Sequence, residues 1–134
     1  MARVAVLSDV HGNAVALAAT RAAIKAARVD AILVAGDHVL NGPDPAGAVD
    51  GLRELEADGA IVIQGNTDIA VADYDYSAAF PWQTDGVPDQ IRRAAEWANE
   101  ALGPERLDWL RRLPDQARSG RGRRRRGSRR LGPL

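Results

Sequence analysis

Three short apolar runs, separated by two stretches of helical character, constrain the fold of this chain most. The runs lie near residues 3–8, 31–35 and 60–64, and the sequence between them predicts helices near 13–28 and 45–57. Asn13 suits the N-cap of the first helix, and Pro45 suits the first turn of the second. Strands that alternate with helices form parallel sheets, and short apolar strands are typical of sheets buried on both faces. The sequence therefore predicts an α/β fold with a βαβαβ core.

The rest of the chain is less regular. Residues 69–87 hold aromatic side chains among Asp, Ser and Pro, which favours a loop packed by its own aromatic residues. Two further helices are expected, from Pro88-Asp89 to about Leu102 and near 105–113, separated by Gly103-Pro104. From Pro114 onward the sequence is rich in Gly, Arg and Ser and cannot build an apolar core. We therefore expect a folded domain over 1–113 and a disordered tail over 114–134.

The net charge of zero conceals two parts of opposite sign. Residues 1–117 hold ten basic and all eighteen acidic residues, a net charge of −8, whereas residues 118–134 hold eight arginines and no acid. Two explanations of this tail remain open: a basic arm that binds nucleic acid, or out-of-frame translation of a GC-rich gene that truncates a longer enzyme. The tail has no aromatic residue on which bases could stack, so nucleic-acid binding is expected only through its arginines.

Composition also bears on the cellular compartment. The chain has no cysteine, which excludes disulfides and thiolate metal ligands. Its apolar runs are too short to span a bilayer, and the first strand begins too early to leave room for a signal peptide. We therefore expect a cytoplasmic protein that does not contact the membrane.

A polar motif follows each of the three predicted strands. The motifs are Ser8-Asp9-Val10-His11-Gly12-Asn13, Gly36-Asp37 and Gly65-Asn66-Thr67-Asp68. In an open α/β sheet, ligands bind at the carboxyl ends of the strands, so the three motifs are expected to converge. Carboxylate, imidazole and amide oxygen form a mixed donor set that suits Mn²⁺, Fe or Zn²⁺. The sequence therefore predicts a metal centre at this edge of the sheet.

The order D-x-H, G-D and G-N-x-[DE], each after a strand, resembles the calcineurin-like metallophosphoesterases. The segments 36–45, 94–97 and 109–114 are similar to a bacterial phosphodiesterase-like branch of that family. The resemblance covers residue 2 to about residue 114. It implies the N-terminal, βαβαβ half of a four-layer α/β/β/α sandwich, with C-terminal helices.

The resemblance also implies a ligand set and a reaction. Asp9 and His11 would bind the first of two divalent ions (Mn, Fe or Zn), Asp37 would bridge the pair, and Asn66 would bind the second through its side-chain oxygen. Asp37 and Asn66 would thus be the catalytic residues. Metal-activated water would hydrolyse a phosphomonoester or phosphodiester, either a small molecule or a nucleotide.

Other residues are expected to support these ligands. Asp68 would support the Asn66 loop, while Gly36 and Gly65 would permit close approach of the backbone. Asp9 and His11 are two residues apart, so in an extended segment their side chains would point to the same side. The second ring nitrogen of His11 would need a hydrogen-bond acceptor. We interpret His38 as structural.

Each proposed ligand has a structural alternative. Gly-Asp and Gly-Asn sequences are also common in turns. Asp9 could cap a helix, His11 could be an ordinary loop histidine, Asp37 a turn residue and Asn66 a left-handed turn residue. Two other functions also remain open, which are a non-catalytic scaffold that binds metal or phosphate, and nucleic-acid binding through the tail.

The chain departs from the family pattern in two ways. Thr67 stands where many members carry a histidine that assists the leaving group. The histidines that the family contributes from its C-terminal half are also missing, since this chain has only His11 and His38. We therefore expect at most one well-held metal ion and weak or no activity. Without the second sheet of the family, one sheet face is expected to be exposed, which would lower solubility or favour a homodimer.

Overall fold

A three-stranded parallel sheet organises the computed structural model, which describes residues 1–118. The strands are β1 (Val4–Leu7), β2 (Ala31–Val34) and β3 (Ile61–Val62), in the order β1-β2-β3. The helices α1 (Ala14–Ala27) and α2 (Pro45–Ala57) connect them. This arrangement confirms the predicted βαβαβ core.

Both connecting helices begin at the residues that the sequence indicates. The side chain of Asn13 accepts a hydrogen bond from the backbone N–H of Ala16 at 3.0 Å. The side chain of Asp44 caps α2 in the same way through Gly47 at 2.9 Å, and Pro45 lies in the first turn. These caps occupy backbone donors that a helix leaves unpaired at its N-terminus. Both helix starts are therefore fixed by local sequence.

The predicted loop over 69–87 is wrong at its start, because two helices occupy much of it. They are α3 (Asn66–Asp73) and α4 (Tyr76–Ala79). The Asp68 carboxylate accepts a hydrogen bond from the N–H of Gly65 at 2.8 Å, and the Asp75 carboxylate accepts one from Ala78 at 3.1 Å. Each carboxylate thus stabilises the start of a short helix. The sequences of these helices have little apolar periodicity, so the pattern did not indicate them. The predicted aromatic packing is present, since the rings of Phe80 and Trp82 lie edge to face at 5.8 Å.

The last helix, α5 (Asp89–Arg112), contains the predicted break. Gly103 has φ 72° and ψ 172°, which is not helical, so the helix axis changes direction before Pro104. The second part of α5 is joined to α2 by Arg106, whose guanidinium makes two hydrogen bonds of 3.0 Å to the carboxylate of Asp50.

The apolar core lies on the helical side of the sheet. Leu52 of α2 is fully buried, as are Val71 of α3 and Leu110 of α5. They belong to the same core as Val34 and Val62, which are adjacent in the β2–β3 register and share one sheet face. Across residues 1–118, no helix has the length and hydropathy that a bilayer crossing requires.

The opposite face of the sheet is uncovered. Val6, Leu33 and Ile61 are aligned across the three strands on this face, and none of them belongs to the core. Val4 and Val6 are 46% and 66% exposed. The prediction that both faces are buried is therefore wrong, and the prediction of an exposed face is confirmed. The reason is that α2, α3 and α5 all contribute to a core on the other side.

The predicted tail begins at the outer edge of β3. The carbonyl of Pro114 accepts a hydrogen bond from the N–H of Gln64 at 2.7 Å, and residues 114–118 form no helix or strand. The predicted disordered tail covers residues 114–134, and most of it, residues 119–134, lies outside the described residues.

Candidate metal centre

The loops that follow β1 and β2 run side by side, joined by their backbones. The N–H groups of Asp9, His11 and Gly12 donate to the carbonyls of Gly36, Asp37 and His38 at 3.0, 3.0 and 2.8 Å. This pairing extends the β1–β2 register beyond the ends of the strands. It places the two predicted ligand motifs next to each other at the carboxyl edge of the sheet.

Asp9, His11 and Asp37 form a cluster of three potential metal ligands. One donor atom from each lies within 4.8 Å of the other two. All three residues have left-handed backbones, with φ of 60°, 47° and 62°. The expectation that Asp9 and His11 meet because the segment is extended is therefore wrong. They meet because a tight turn with positive φ directs both side chains to one point. Such φ values are uncommon for residues with a side chain and cluster at functional sites.

The ring of His11 has both nitrogens engaged. Nδ1 lies 2.8 Å from the carbonyl oxygen of Leu40, and Nε2 lies 3.1 Å from Oδ1 of Asp9. Because a carbonyl can only accept, Nδ1 must carry a proton. In a neutral ring Nε2 then presents a lone pair to the carboxylate, and a cation between the two atoms would satisfy both. The structure thus supplies the predicted acceptor for the second nitrogen, and the arrangement fits a divalent ion.

The carboxylate of Asp9 faces solvent. Its side chain is 59% exposed, and Oδ2 accepts a hydrogen bond from the hydroxyl of Ser8 at 2.5 Å. This hydrogen bond, followed by the contact with the His11 ring, lowers the pKa of Asp9 below its ordinary value. Asp9 is therefore ionised at neutral pH and available to a cation.

The carboxylate of Asp37 is held by the next loop of the sheet. Its Oδ1 accepts two hydrogen bonds from Thr67, one from the backbone N–H at 3.1 Å and one from the hydroxyl at 2.7 Å. The loops approach closely because Gly36 and Gly65 are in contact. A Cβ on Gly36 would lie 2.6 Å from the nitrogen of Gly65, which is too close for any other residue type. The close approach of the two loops thus explains why both positions are glycine.

Asn66 is the first residue of α3, with helical rather than left-handed backbone. Its side-chain nitrogen donates to the carbonyl of Ala79 at 3.0 Å, which fixes the orientation of the amide. Among the described residues, no hydrogen bond engages its oxygen. Asn66 adjoins Thr67, which touches Asp37, so the third motif reaches the same edge as the first two.

Asp68 is a fully buried carboxylate that joins two loops. It accepts hydrogen bonds from the N–H groups of Asp37, His38 and Gly65 at 2.9, 2.8 and 2.8 Å. Burial raises the pKa of Asp68, and these hydrogen bonds and the nearby His38 ring oppose that rise. Asp68 therefore joins the loop of Gly65 and Asn66 to the loop that carries Asp37.

His38 is fully buried, and its ring does not belong to the ligand cluster. Its Nε2 donates to the carbonyl of Ile63 at 2.7 Å. The ring lies 6.4 Å from that of Trp109. The contacts agree with the structural interpretation of His38.

Sequence reasoning missed the partners of the proposed ligands. They are the carbonyls of Leu40 and Ala79 and the hydroxyl of Thr67. A carbonyl partner has no side-chain signature, so the sequence offered no signal for Leu40 or Ala79. Thr67 could have been found, because it stands between Asn66 and Asp68 in the third motif.

Comparison with known proteins identifies the family. The profile of the calcineurin-like phosphoesterases matches residues 2–123. The chain belongs to this family. A metallophosphoesterase from Sphaerobacter thermophilus is 33% identical over 89% of this chain, with a TM-score of 0.63. A hypothetical protein from Pyrococcus horikoshii is 28% identical over 85% of this chain, with a TM-score of 0.67. A search of curated proteins found no match.

The chain is much shorter than these two proteins. It spans 44% of the Sphaerobacter protein and 48% of the Pyrococcus protein. The fold is therefore that of half a metallophosphoesterase, in agreement with the predicted fold class.

Proposed function

We propose that this chain forms the metal-binding part of a phosphoesterase site that acts on a small phosphoester or a nucleotide. The observation that supports this most is the convergence of Asp9, His11 and Asp37, whose donor atoms lie within 4.8 Å of one another. A divalent ion held there would polarise a phosphoryl oxygen and activate water as the nucleophile. The mixed nitrogen and oxygen donors suit manganese, iron or zinc.

Different residues of this chain would bind each of the two ions and support the loops that carry the ligands. Asp9 and His11 would hold the first ion, with His11 oriented by the Leu40 carbonyl. Asp37 would supply negative charge between two ions, and Asn66 would offer its amide oxygen to the second. Asp68, Gly36 and Gly65 would keep the loops in place.

The second ion would be weakly held and turnover weak or absent. Only Asp37 and Asn66 are proposed for it, whereas catalytic zinc sites typically use three protein ligands. The hydroxyl of Thr67 donates to Asp37 and cannot act as a general acid near neutral pH. Any activity should favour esters whose leaving group needs little protonation, which is why we propose a phosphodiester with a nitrophenolate leaving group as the test substrate.

The test is Mn²⁺-stimulated hydrolysis of bis(4-nitrophenyl) phosphate by the full chain, Asp37→Ala and Asp85→Ala. Asp85 is exposed in a loop and controls for the loss of one acidic residue. Turnover that survives in Asp85→Ala and disappears in Asp37→Ala would support the proposal. Turnover equal in all three proteins would contradict it, because it would arise from a contaminant or from another site.

A non-catalytic scaffold is the alternative that the short donor set of the second ion favours. It predicts Mn²⁺ binding that requires Asp37, without turnover, and calorimetry on the same variants measures it. Nucleic-acid binding would depend on the arginines of residues 118–134, and all of these except Arg118 lie outside the described residues. It predicts affinity that falls steeply with salt. A cytoplasmic location and a homodimer formed through the uncovered sheet face also stay proposals.

A further inference from the structure

Thr67, which is not itself a proposed ligand, makes two hydrogen bonds to the carboxylate of Asp37. Its backbone N–H and its hydroxyl both donate to the same atom, Oδ1 of Asp37, at 3.1 and 2.7 Å. Thr67 is only 9% exposed, so water competes little for these hydrogen bonds. The carboxylate of Asp37 is thus held at one oxygen by a buried fork of two donors.

This fork limits what Asp37 can offer to a cation. A carboxylate oxygen has two lone-pair sites, and both sites of Oδ1 accept hydrogen bonds from Thr67. Oδ2 accepts no hydrogen bond from the described residues. Asp37 therefore presents a single free oxygen, and the fork determines which direction that oxygen faces.

The backbone of Asp37 is restrained by the same loop. Its φ of 62° is in the left-handed region, and its N–H donates to the Asp68 carboxylate at 2.9 Å. The adjacent residues Thr67 and Asp68 therefore hold the side chain and the main chain of Asp37 at once. Removing the Thr67 hydroxyl should leave Oδ1 of Asp37 with only the longer hydrogen bond from the backbone N–H, at 3.1 Å. Because Asp68 fixes the backbone, the carboxylate could then change its rotamer without displacing the loop.

We infer that Thr67 is a positioning residue, whose hydroxyl holds Oδ1 of Asp37 and directs Oδ2 toward the cation shared with Asp9 and His11. The inference rests on the metal centre proposed above. It gives Thr67 a function that differs from acid catalysis, since the hydroxyl proton is committed to Asp37. It also implies that an ion at this cluster is bound by one oxygen of Asp37.

The experiment compares Thr67→Val, which has nearly the same shape but no hydroxyl, with Thr67→Ser, which keeps it. Thr20→Val is the matched control, because its hydroxyl donates to a helix carbonyl at 2.8 Å. Mn²⁺ affinity is measured by electron paramagnetic resonance. Changes to residues that orient metal ligands typically weaken metal binding about 10- to 100-fold, which is the loss expected for Thr67→Val. Thr67→Ser and Thr20→Val should bind as the unaltered chain does.

Two further readouts separate positioning from a contribution to folding. With saturating Co²⁺, the visible absorption spectrum of Thr67→Val should differ from that of the unaltered chain, whereas a purely structural role would change only the unfolding midpoint. Crystal structures without metal provide the second readout. They should show Asp37 turned away from its original rotamer in Thr67→Val and unchanged in Thr67→Ser.

The outcomes distinguish this inference from the proposed metal centre. If the unaltered chain binds no Mn²⁺, the proposed centre is wrong, and the Asp37 rotamer in the two crystal structures still decides the role of Thr67. If the chain binds Mn²⁺ but Thr67→Val has the same affinity, spectrum and Asp37 rotamer, the inference about Thr67 is overturned and the centre stands.

Discussion

Replacing Gly36 with alanine tests the contact between the two loops that carry the centre. At φ 104° a side chain is strained, and its Cβ would lie 2.6 Å from the nitrogen and 2.7 Å from the Cα of Gly65. Gly59 is a matched control, because its φ is 105° and no atom lies within 4 Å of the position of its Cβ. The two substitutions therefore share the backbone strain and differ in the contact.

The expected magnitudes follow from these two terms. Backbone strain of this kind costs about 1–3 kcal/mol, which is the expected loss of unfolding free energy for Gly59→Ala. Forcing an atom into a closely packed position costs about 1–3 kcal/mol more, so Gly36→Ala should lose more than the control by about that amount. Urea unfolding in the presence of a chelator measures both. Equal losses would refute the account, because the contact between Gly36 and Gly65 would then carry no energetic weight.

Three further predictions concern the core, a surface ion pair and the uncovered face. Leu52→Ala should lower the unfolding free energy by about 2–5 kcal/mol in urea titrations, since Leu52 is fully buried, and a loss below that range would place it outside the core. The hydrogen bond from Arg106 lowers the pKa of Asp50 below its ordinary value of 3.8. Their pairing therefore stabilises the fold fully above that ordinary value, and the stabilisation is lost as the pH falls through the lowered pKa. Because the pair is half exposed, Arg106→Met should lower the unfolding free energy by at most about 1 kcal/mol at pH 7, and by less at low pH. A loss of unfolding free energy that grew on acidification would contradict this assignment. Val6→Thr should leave the unfolding midpoint nearly unchanged and reduce self-association in sedimentation experiments, and unchanged association would exclude this face as the contact.

Local sequence determined much of this fold. The strands, the caps of α1 and α2 and the break at Gly103 each depend on residues close in sequence, so pattern and propensity were sufficient to predict them. The short helix α3 depends on a buried carboxylate that also binds the loop after β2, thirty residues away. Such a tertiary stabilisation has no local signature, which explains why the loop prediction over 69–87 is wrong there.

The candidate centre was predictable in its members but not in its geometry. Asp9, His11 and Asp37 follow strand ends, and parallel strands bring their carboxyl ends to one edge. The left-handed backbones that orient these side chains are set by hydrogen bonds between loops, which the sequence does not reveal. The same holds for the Thr67 hydroxyl that orients Asp37 and the Leu40 carbonyl that orients His11, because both contacts also join separate loops.

The central claim is that Asp9, His11 and Asp37 bind one divalent ion. Anomalous diffraction from a crystal of the full chain grown with Mn²⁺ tests it most directly, because manganese is located without assuming its ligands. The account predicts a peak in contact with Nε2 of His11, a carboxylate oxygen of Asp9 and Oδ2 of Asp37. A peak that lies elsewhere, or the absence of a peak at these residues in saturating Mn²⁺, would contradict it.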